Sequence, residues 1–273
     1  MNSIIIWIKK KLDWRIKVVL RLTFAFFGVK YTTLKSLKIS EHGRMEDESY
    51  QKGVLKYHLS CFEKNRANPT FCGVVEIGPG DSLDGYRELE DFGFSSIYFV
   101  DKGSQIVEKT LNSYKRRGDG LYEVGKNIYY LTRGATSLSQ IQDRKIEFCY
   151  SQSVLQHIPE QELGSYFDQL KRIMVLGGIQ SHVINHTDHL SGEFLVHKWP
   201  KIITEGKYWS RANLYTNGLD ISWYISALEE RRFQIIEIAV EIQGKYSVIA
   251  DKKDLQIKSQ DEKFKRSRII CKN

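Results

Sequence analysis

The sequence predicts an α/β fold: a mostly parallel sheet with helices on both faces. Three observations point there. Short apolar runs alternate with helix-like segments, the pattern of repeated β-α units. One run, Val74 to Ile77, leads directly into Gly78-Pro79-Gly80, a sharp turn from strand to helix. A second, Ile97 to Val100, ends on Asp101, placed roughly 20–25 residues after the glycine turn as in nucleotide-binding α/β folds.

The chain has 273 residues, of which 41% are apolar. That suffices for one full α/β domain with an extension, and falls short of two large domains. Gly and Pro are too few for a low-complexity chain, and there is no internal repeat. Residues 1–40 hold nine Lys or Arg against one acid, Asp13, and so carry the whole formal charge of +8. The division expected is a basic amphipathic arm, 1–40, and a neutral globular body, 41–273. The four cysteines, Cys61, Cys72, Cys149 and Cys271, lack C-x-x-C spacing and read as reduced thiols. That suits a cytoplasmic protein better than a secreted one.

In the arm, Ile5, Ile8, Leu12, Ile16, Val19, Thr23 and Phe26 step by three or four and form one helical stripe. Embedded Lys and Arg keep any apolar run short of the roughly 18–20 residues of a spanning helix, and no signal-peptide cleavage pattern stands out. Trp7, Trp14, Val18 and Leu22 lie outside the stripe. Two readings stand. The arm lies on an anionic membrane, peripheral on its inner face, or it packs on the protein body or a partner.

Along the body, a helix is expected from about Glu46 to Glu63, ended by Asn68-Pro69. After the first two strands, a third covers Asn127 to Leu131 and is followed by Arg133-Gly134-Ala135-Thr136. A fourth, Ile146 to Tyr150, runs into Ser151-Gln152-Ser153-Val154-Leu155-Gln156-His157-Ile158-Pro159. Pro159, Glu160 and Glu162 open a helix that is expected to reach about Leu176 and stop at Gly177-Gly178. A fifth strand, Ile179 to Ile184, follows. The acid of Glu76 before G-x-G strengthens the turn as a ligand site. Asp101 is either a ribose-binding acid or a turn residue.

Residues 74–80, Val-Val-Glu-Ile-Gly-Pro-Gly, resemble the first motif of class I S-adenosylmethionine-dependent methyltransferases. Tyr98-Phe99-Val100-Asp101 resembles their second-strand acid, residues 146–158 their fourth-strand motif, and Leu170 to Gly178 the approach to their fifth strand. The resemblance spans roughly residues 70–190. It implies a Rossmann-like seven-stranded sheet, with Phe233 to Ile242 as sixth strand and Arg268 to Lys272 as an antiparallel seventh. It implies S-adenosylmethionine as cofactor, with Glu76, Gly78 and Gly80 at its methionine part. Asp101 would be at its ribose, Ala135 or Thr136 at its adenine, and Gln152 at its edge. The family often has an acid where Ala135 stands and Asp where Glu147 stands. A nicotinamide-cofactor reading lacks its third glycine, since residues 78–83 read Gly-Pro-Gly-Asp-Ser-Leu.

Sites in such sheets lie beyond the carboxyl ends of the strands. His189, with Asp188 to orient it or to act itself, is the first candidate base after the fifth strand; His157 after the fourth is the other. His182, His186 and His189 do not share a geometry that would hold a metal, and none is expected. An insert, about 190–220, carries Phe194, His197, Trp199, Tyr208, Trp209, Arg211 and Tyr215 and is expected to cap the substrate. Asp188-His189 through Tyr208-Trp209 and Asn213 is loosely similar to methyltransferases of bacterial surface-saccharide synthesis. That similarity implies O-methylation of a saccharide or lipid-linked glycan. The alternatives are a methyltransferase for RNA or a small metabolite, and a non-catalytic adaptor. Nucleic acid is not favoured, because no N/D-P-P-Y/F motif follows the fourth strand.

Overall fold

The computed structural model describes residues 14–29, 47–67, 72–80, 82–102, 113–187, 200–201, 206–212, 214–242, 244–249, 255 and 264–273. Ten described strands form one sheet: β1 (Gly73–Ile77), β2 (Ser96–Val100), β3 (Lys115–Gly118), β4 (Leu121–Gly125), β5 (Ile128–Leu131), β6 (Ile146–Gln152), β7 (Met174–Asn185), β8 (Gln234–Ile242), β9 (Lys245–Ile249) and β10 (Arg266–Lys272). Their order is β3-β4-β5-β2-β1-β6-β7-β10-β8-β9. The seven expected strands stand in the middle in the expected arrangement, with β10 antiparallel to both β7 and β8. Three further antiparallel strands correct the count of seven. β3 and β4 extend one edge and β9 the other. The outermost β3 carries Lys115, Arg116 and Arg117 exposed, and charge on an edge strand discourages pairing with other chains.

The described helices are α1 (Trp14–Phe26), α2 (Glu48–Asn65), α3 (Tyr86–Phe92), α4 (Glu160–Ile173), α5 (Lys207–Arg211) and α6 (Ile221–Glu230). Strand alternation decides the layering. Val75 and Ile77 point to a core shared with α4 and α6, through Leu163, Phe167, Leu170, Tyr224, Ile225 and Leu228. Val74 points to the opposite core, shared with α2 and α3 through Leu55, Phe62 and Leu89. The second core is stacked aromatics: the Phe62 and Phe148 rings lie 4.8 Å apart and the Phe148 and Tyr150 rings 5.4 Å apart.

Helix α2 is capped by Asp47, whose side chain accepts from the Tyr50 amide, with Glu48 in the first turn and Lys64 in the last. Helix α4 ends at Ile173 rather than near Leu176. Lys145 donates its amide to the Ile173 carbonyl, and Met174 already pairs with Ile146 of β6. Sheet pairing therefore takes over where helical periodicity alone would continue. Gly177 and Gly178 consequently lie inside β7 at a shift of register. A Cβ on Gly178 would stand 3.1 Å from the Glu147 carbonyl oxygen, so close approach of two backbones explains this glycine.

Helix α1 has two apolar faces. Leu22 and Ala25 pack with Trp209, Ala212 and Leu214 on and after α5. Ile16, Val19, Leu20, Phe26 and Phe27 are exposed. Leu22, outside the expected stripe, thus meets the body.

If Phe62 joins α2 to the sheet, Phe62→Ala should lower stability by about 3–5 kcal/mol. Urea unfolding followed by circular dichroism measures this; a loss below about 1 kcal/mol would mean that α2 is not part of the core.

Candidate functional site

The pairing of β1 with both neighbours fixes the site. Ile77 stands opposite Val100 on β2 and opposite Ser151 on β6. The next residues, Gly78, Asp101 and Gln152, therefore stand side by side at one level at the carboxyl ends of three parallel strands, Gln152 as the last residue of β6. The chain runs outward from β1 through β2 to β5, then crosses back to β6 and β7. The reversal falls between β1 and β6, the position where open α/β sheets bind ligands.

Gly78 and Gly80 have φ of 70° and 75°, in the region that glycine enters without strain. A Cβ on Gly78 would lie 2.4 Å from a Val154 methyl, so the loop after β6 rests directly on the glycine turn. Asp101 is fixed through its backbone: its amide donates to the Leu131 carbonyl at 2.8 Å, and its carbonyl accepts from the Gly134 amide at 2.7 Å. Its Oδ1 accepts from the Lys102 amide at 2.7 Å. Past β5, Ala135 is buried in the core and Thr136 is exposed, both within a 3-10 helix, Gly134–Gln140. Ala135 can hydrogen-bond a ligand only through its backbone.

Glu76 is 5% exposed, and its Oε2 accepts from the Tyr150 hydroxyl at 2.7 Å. Burial pushes its carboxyl up to about 7, against the smaller opposing effect of that hydrogen bond. A buried acid poised near neutrality one strand-end from a ligand crevice is a site candidate on physical grounds.

Gln152 is oriented by a residue that sequence reasoning missed. His58 of α2 has Nδ1 2.8 Å from Ser181 Oγ and Nε2 3.2 Å from Gln152 Oε1. Burial holds the ring neutral, with its pKa down at about 3. An amide oxygen can only accept, so Nε2 carries the proton and the Ser181 hydroxyl donates to Nδ1. The Gln152 carboxamide is thereby turned oxygen-inward. His182 repeats the arrangement, between Ser151 Oγ at 2.8 Å and Gln180 Oε1 at 2.9 Å, with burial lowering its pKa to about 3. The signal for His58 lay in its spacing: Gln51, Leu55, His58 and Phe62 recur on one buried face of α2.

His157 sits in a single 3-10 turn, Leu155–His157, half-buried, with Nδ1 2.7 Å from the Tyr215 carbonyl oxygen. That carbonyl fixes the proton on Nδ1 and leaves Nε2 as the basic nitrogen, 3.4 Å from the Gln156 amide nitrogen. Asn217, fully buried, staples the turn in place. Its Nδ2 donates to the Leu155 and Ile158 carbonyls at 2.9 Å each, and its Oδ1 accepts from the Leu219 amide and the Tyr224 hydroxyl. Asp188 and His189 lie outside the described residues, as do residues 190–199, 202–205 and 213 of the insert. Of the insert's aromatic residues, Trp209 packs with Ala25 of α1 and with Ala212 and Leu214. His186 Nε2 lies 2.8 Å from Ser267 Oγ, so His182 and His186 each have their own hydroxyl partner. Among the described residues no cluster of metal-binding side chains occurs.

No protein-family model matches the chain, and no curated protein matches it. Solved structures do. Geranyl diphosphate C-methyltransferase from Streptomyces coelicolor, in complex with Mg2+, geranyl diphosphate and S-adenosyl-L-homocysteine, matches at 12% identity and a TM-score of 0.50, over 85% of this chain and 84% of that one. A SAM-dependent methyltransferase from Archaeoglobus fulgidus matches at 11% identity and a TM-score of 0.49, over 82% and 94%. Phosphoethanolamine N-methyltransferase 2 from Haemonchus contortus matches at 15% identity and a TM-score of 0.48, over 80% of this chain. The chain spans 53% of that protein, about half its length. The likeness is one of fold: this chain has the Rossmann-like methyltransferase fold.

The buried titratable groups make opposite contributions to stability. His58 and His182 have pKa values lowered in the fold, so their contribution falls as pH drops below about 6.5. Glu76 is raised from 4.5 to about 7, so its contribution is present below 4.5 and lost as pH rises through 7. Glu76→Gln keeps an acceptor for Tyr150 and removes the second effect. Relative to wild type, the variant should gain stability between pH 4.5 and 7 at about 1.4 kcal/mol per pH unit. Urea unfolding across that range measures it, and parallel curves would refute the assignment.

Proposed function

We propose that the chain is an S-adenosylmethionine-dependent methyltransferase. The observation that carries the reading is the in-register row of Gly78, Asp101 and Gln152 at the switch point between β1 and β6. The residues present suit this cofactor. The glycine turn admits a ligand close to the backbone, and Asp101 offers a carboxylate where hydroxyls of a ribose would arrive. Glu76 would be drawn towards its ionised form by a cationic ligand nearby. Gln152, oxygen-inward on His58, turns its NH2 group the other way, as a donor. When bound, the cofactor supplies an electrophilic methyl group on a sulfonium, whose C–S electron pair leaves with sulfur.

The chain's own part is positioning and proton transfer. Nε2 of His157 is a basic nitrogen just past the carboxyl end of β6, and its ring is held by the Tyr215 carbonyl and the Asn217 staple. It would take the proton that a hydroxyl or amine acceptor loses as its oxygen or nitrogen bonds to the methyl carbon. His189 and Asp188 remain candidates for the same role. A saccharide hydroxyl, free or lipid-linked, is the acceptor proposed, on the sequence similarity of the region from Asp188 to Asn213.

Calorimetry with S-adenosylhomocysteine should give 1:1 binding, and folded protein that binds none would end this reading. Asp101→Ala should weaken binding by about 1.5–3 kcal/mol, roughly 10- to 150-fold, without unfolding the protein. His157→Ala should lower turnover by about 10²–10⁴-fold with cofactor affinity nearly unchanged. Labelled S-adenosylmethionine incubated with lipid, polysaccharide, RNA and protein fractions should label the polysaccharide or lipid fraction.

A further inference from the structure

Helix α1 presents an exposed apolar face. Ile16, Val19, Leu20, Phe26 and Phe27 are 50%, 62%, 42%, 65% and 75% exposed. Together with Thr23 they follow helical spacing and its continuation, so they form one contiguous face. The Thr23 hydroxyl donates to the Val19 carbonyl at 2.8 Å, which satisfies it within the helix. The other described large apolar residues left exposed, Leu176, Ile236 and Val248, are scattered singly over three strands. Isolated residues of that kind need no explanation, whereas a stripe does.

The helix cannot turn this face inward. Its opposite side is already used, with Leu22 and Ala25 packed on Trp209, Ala212 and Leu214. The stripe is therefore fixed outward by the fold.

Charge selects the occupant. Residues 14–40 contain no acid, and α1 carries Arg15, Lys17 and Arg21. On a helical wheel Arg15 falls on one flank of the apolar face and Lys17 on the other, with Arg21 further round beside Ala25. Lys9, Lys10 and Lys11 precede the helix, and Lys30, Lys35 and Lys38 follow it. A second copy seated on this face would bring two positive arms together, each with nine Lys or Arg and the single acid Asp13. An anionic bilayer offers apolar depth for the stripe and negative headgroups for its flanks. No described helix is long and apolar enough to cross a membrane, and the 13 residues of α1 suit lying along the surface.

We propose that α1 docks the protein on anionic membrane surfaces, with Ile16, Val19, Leu20, Phe26 and Phe27 inserted among the acyl chains and the flanking Lys and Arg at the headgroups. This docking needs no particular chemistry at the candidate site, so its test is independent of methyl transfer.

The test is flotation of the full chain with phosphatidylcholine vesicles, with and without phosphatidylglycerol. The chain should float with the anionic vesicles, and less so as salt rises, because the Lys and Arg attraction is screened. Val19→Glu with Phe26→Glu should weaken binding at least about 100-fold, since two inserted apolar side chains become carboxylates. Both positions are exposed, so the melting temperature should hold. Leu176→Glu, equally exposed but away from the stripe, should float like wild type. Failure of the full chain to float with anionic vesicles would overturn the proposal. So would equal flotation of the double variant, or sedimentation showing a dimer that the double variant dissolves while wild type ignores vesicles.

Discussion

The candidate site depends on β1 being paired along both edges, in unbroken register from Val74 to Ile77. A one-residue slip against β2 or β6 would send Val75 and Ile77 to the wrong core and displace Gly78 from Asp101 and Gln152. Both faces of the strand are buried, so the register has no slack. The glycine turn follows from the same pairing, because it must leave the sheet where Val154 closes over it.

Around that strand, two sets of buried polar side chains are joined by hydrogen bonds. Ser181, His58 and Gln152 form one chain of hydrogen bonds, and Ser151, His182 and Gln180 form another beside it. Each imidazole is neutral, so each set carries direction without net charge. The first set joins α2, β6 and β7 and ends on a residue facing the crevice. Asn217 does the equivalent for the turn that carries His157, using both amide protons and both faces of its oxygen. Rigidity at the site thus comes from directional bonds that a purely apolar contact would not supply.

The central strands and the acids and glycines at their ends were legible in the sequence. Buried parallel strands read as short apolar runs, and turns demand particular residues. The β3–β4 hairpin was not legible, because Lys115–Gly118 is solvent-exposed and charged and has no apolar period to read. The end of α4 was placed too far along, since the pairing of Met174 with Ile146 is a contact between distant segments and leaves no local trace. Gly177-Gly178 looked like a helix stop and proved to be a close approach of strands. His58 sat in a segment read only as a polar helix, where a histidine on the buried stripe was the available clue. In the arm, the stripe and the apolar residues outside it were legible, and what the latter meet was not. The contact of Leu22 and Ala25 with the region of Trp209 shows why its apolar residues exceed a single stripe.

The position of β10 sets an order of assembly. It lies between β7 and β8, yet it follows both, and β9, along the chain. The β8–β9 hairpin therefore cannot zip onto β7 as it forms, because that would close the slot that β10 must enter. Until residues 266–272 arrive, β7 and β8 each present an open edge of amides and carbonyls, and Ile269 and Ile270 are missing from the two cores they complete. Such a sheet closes last at its middle, through pairings distant in sequence, which slows folding. Its most vulnerable interval is the one in which two unpaired edges wait for their shared partner.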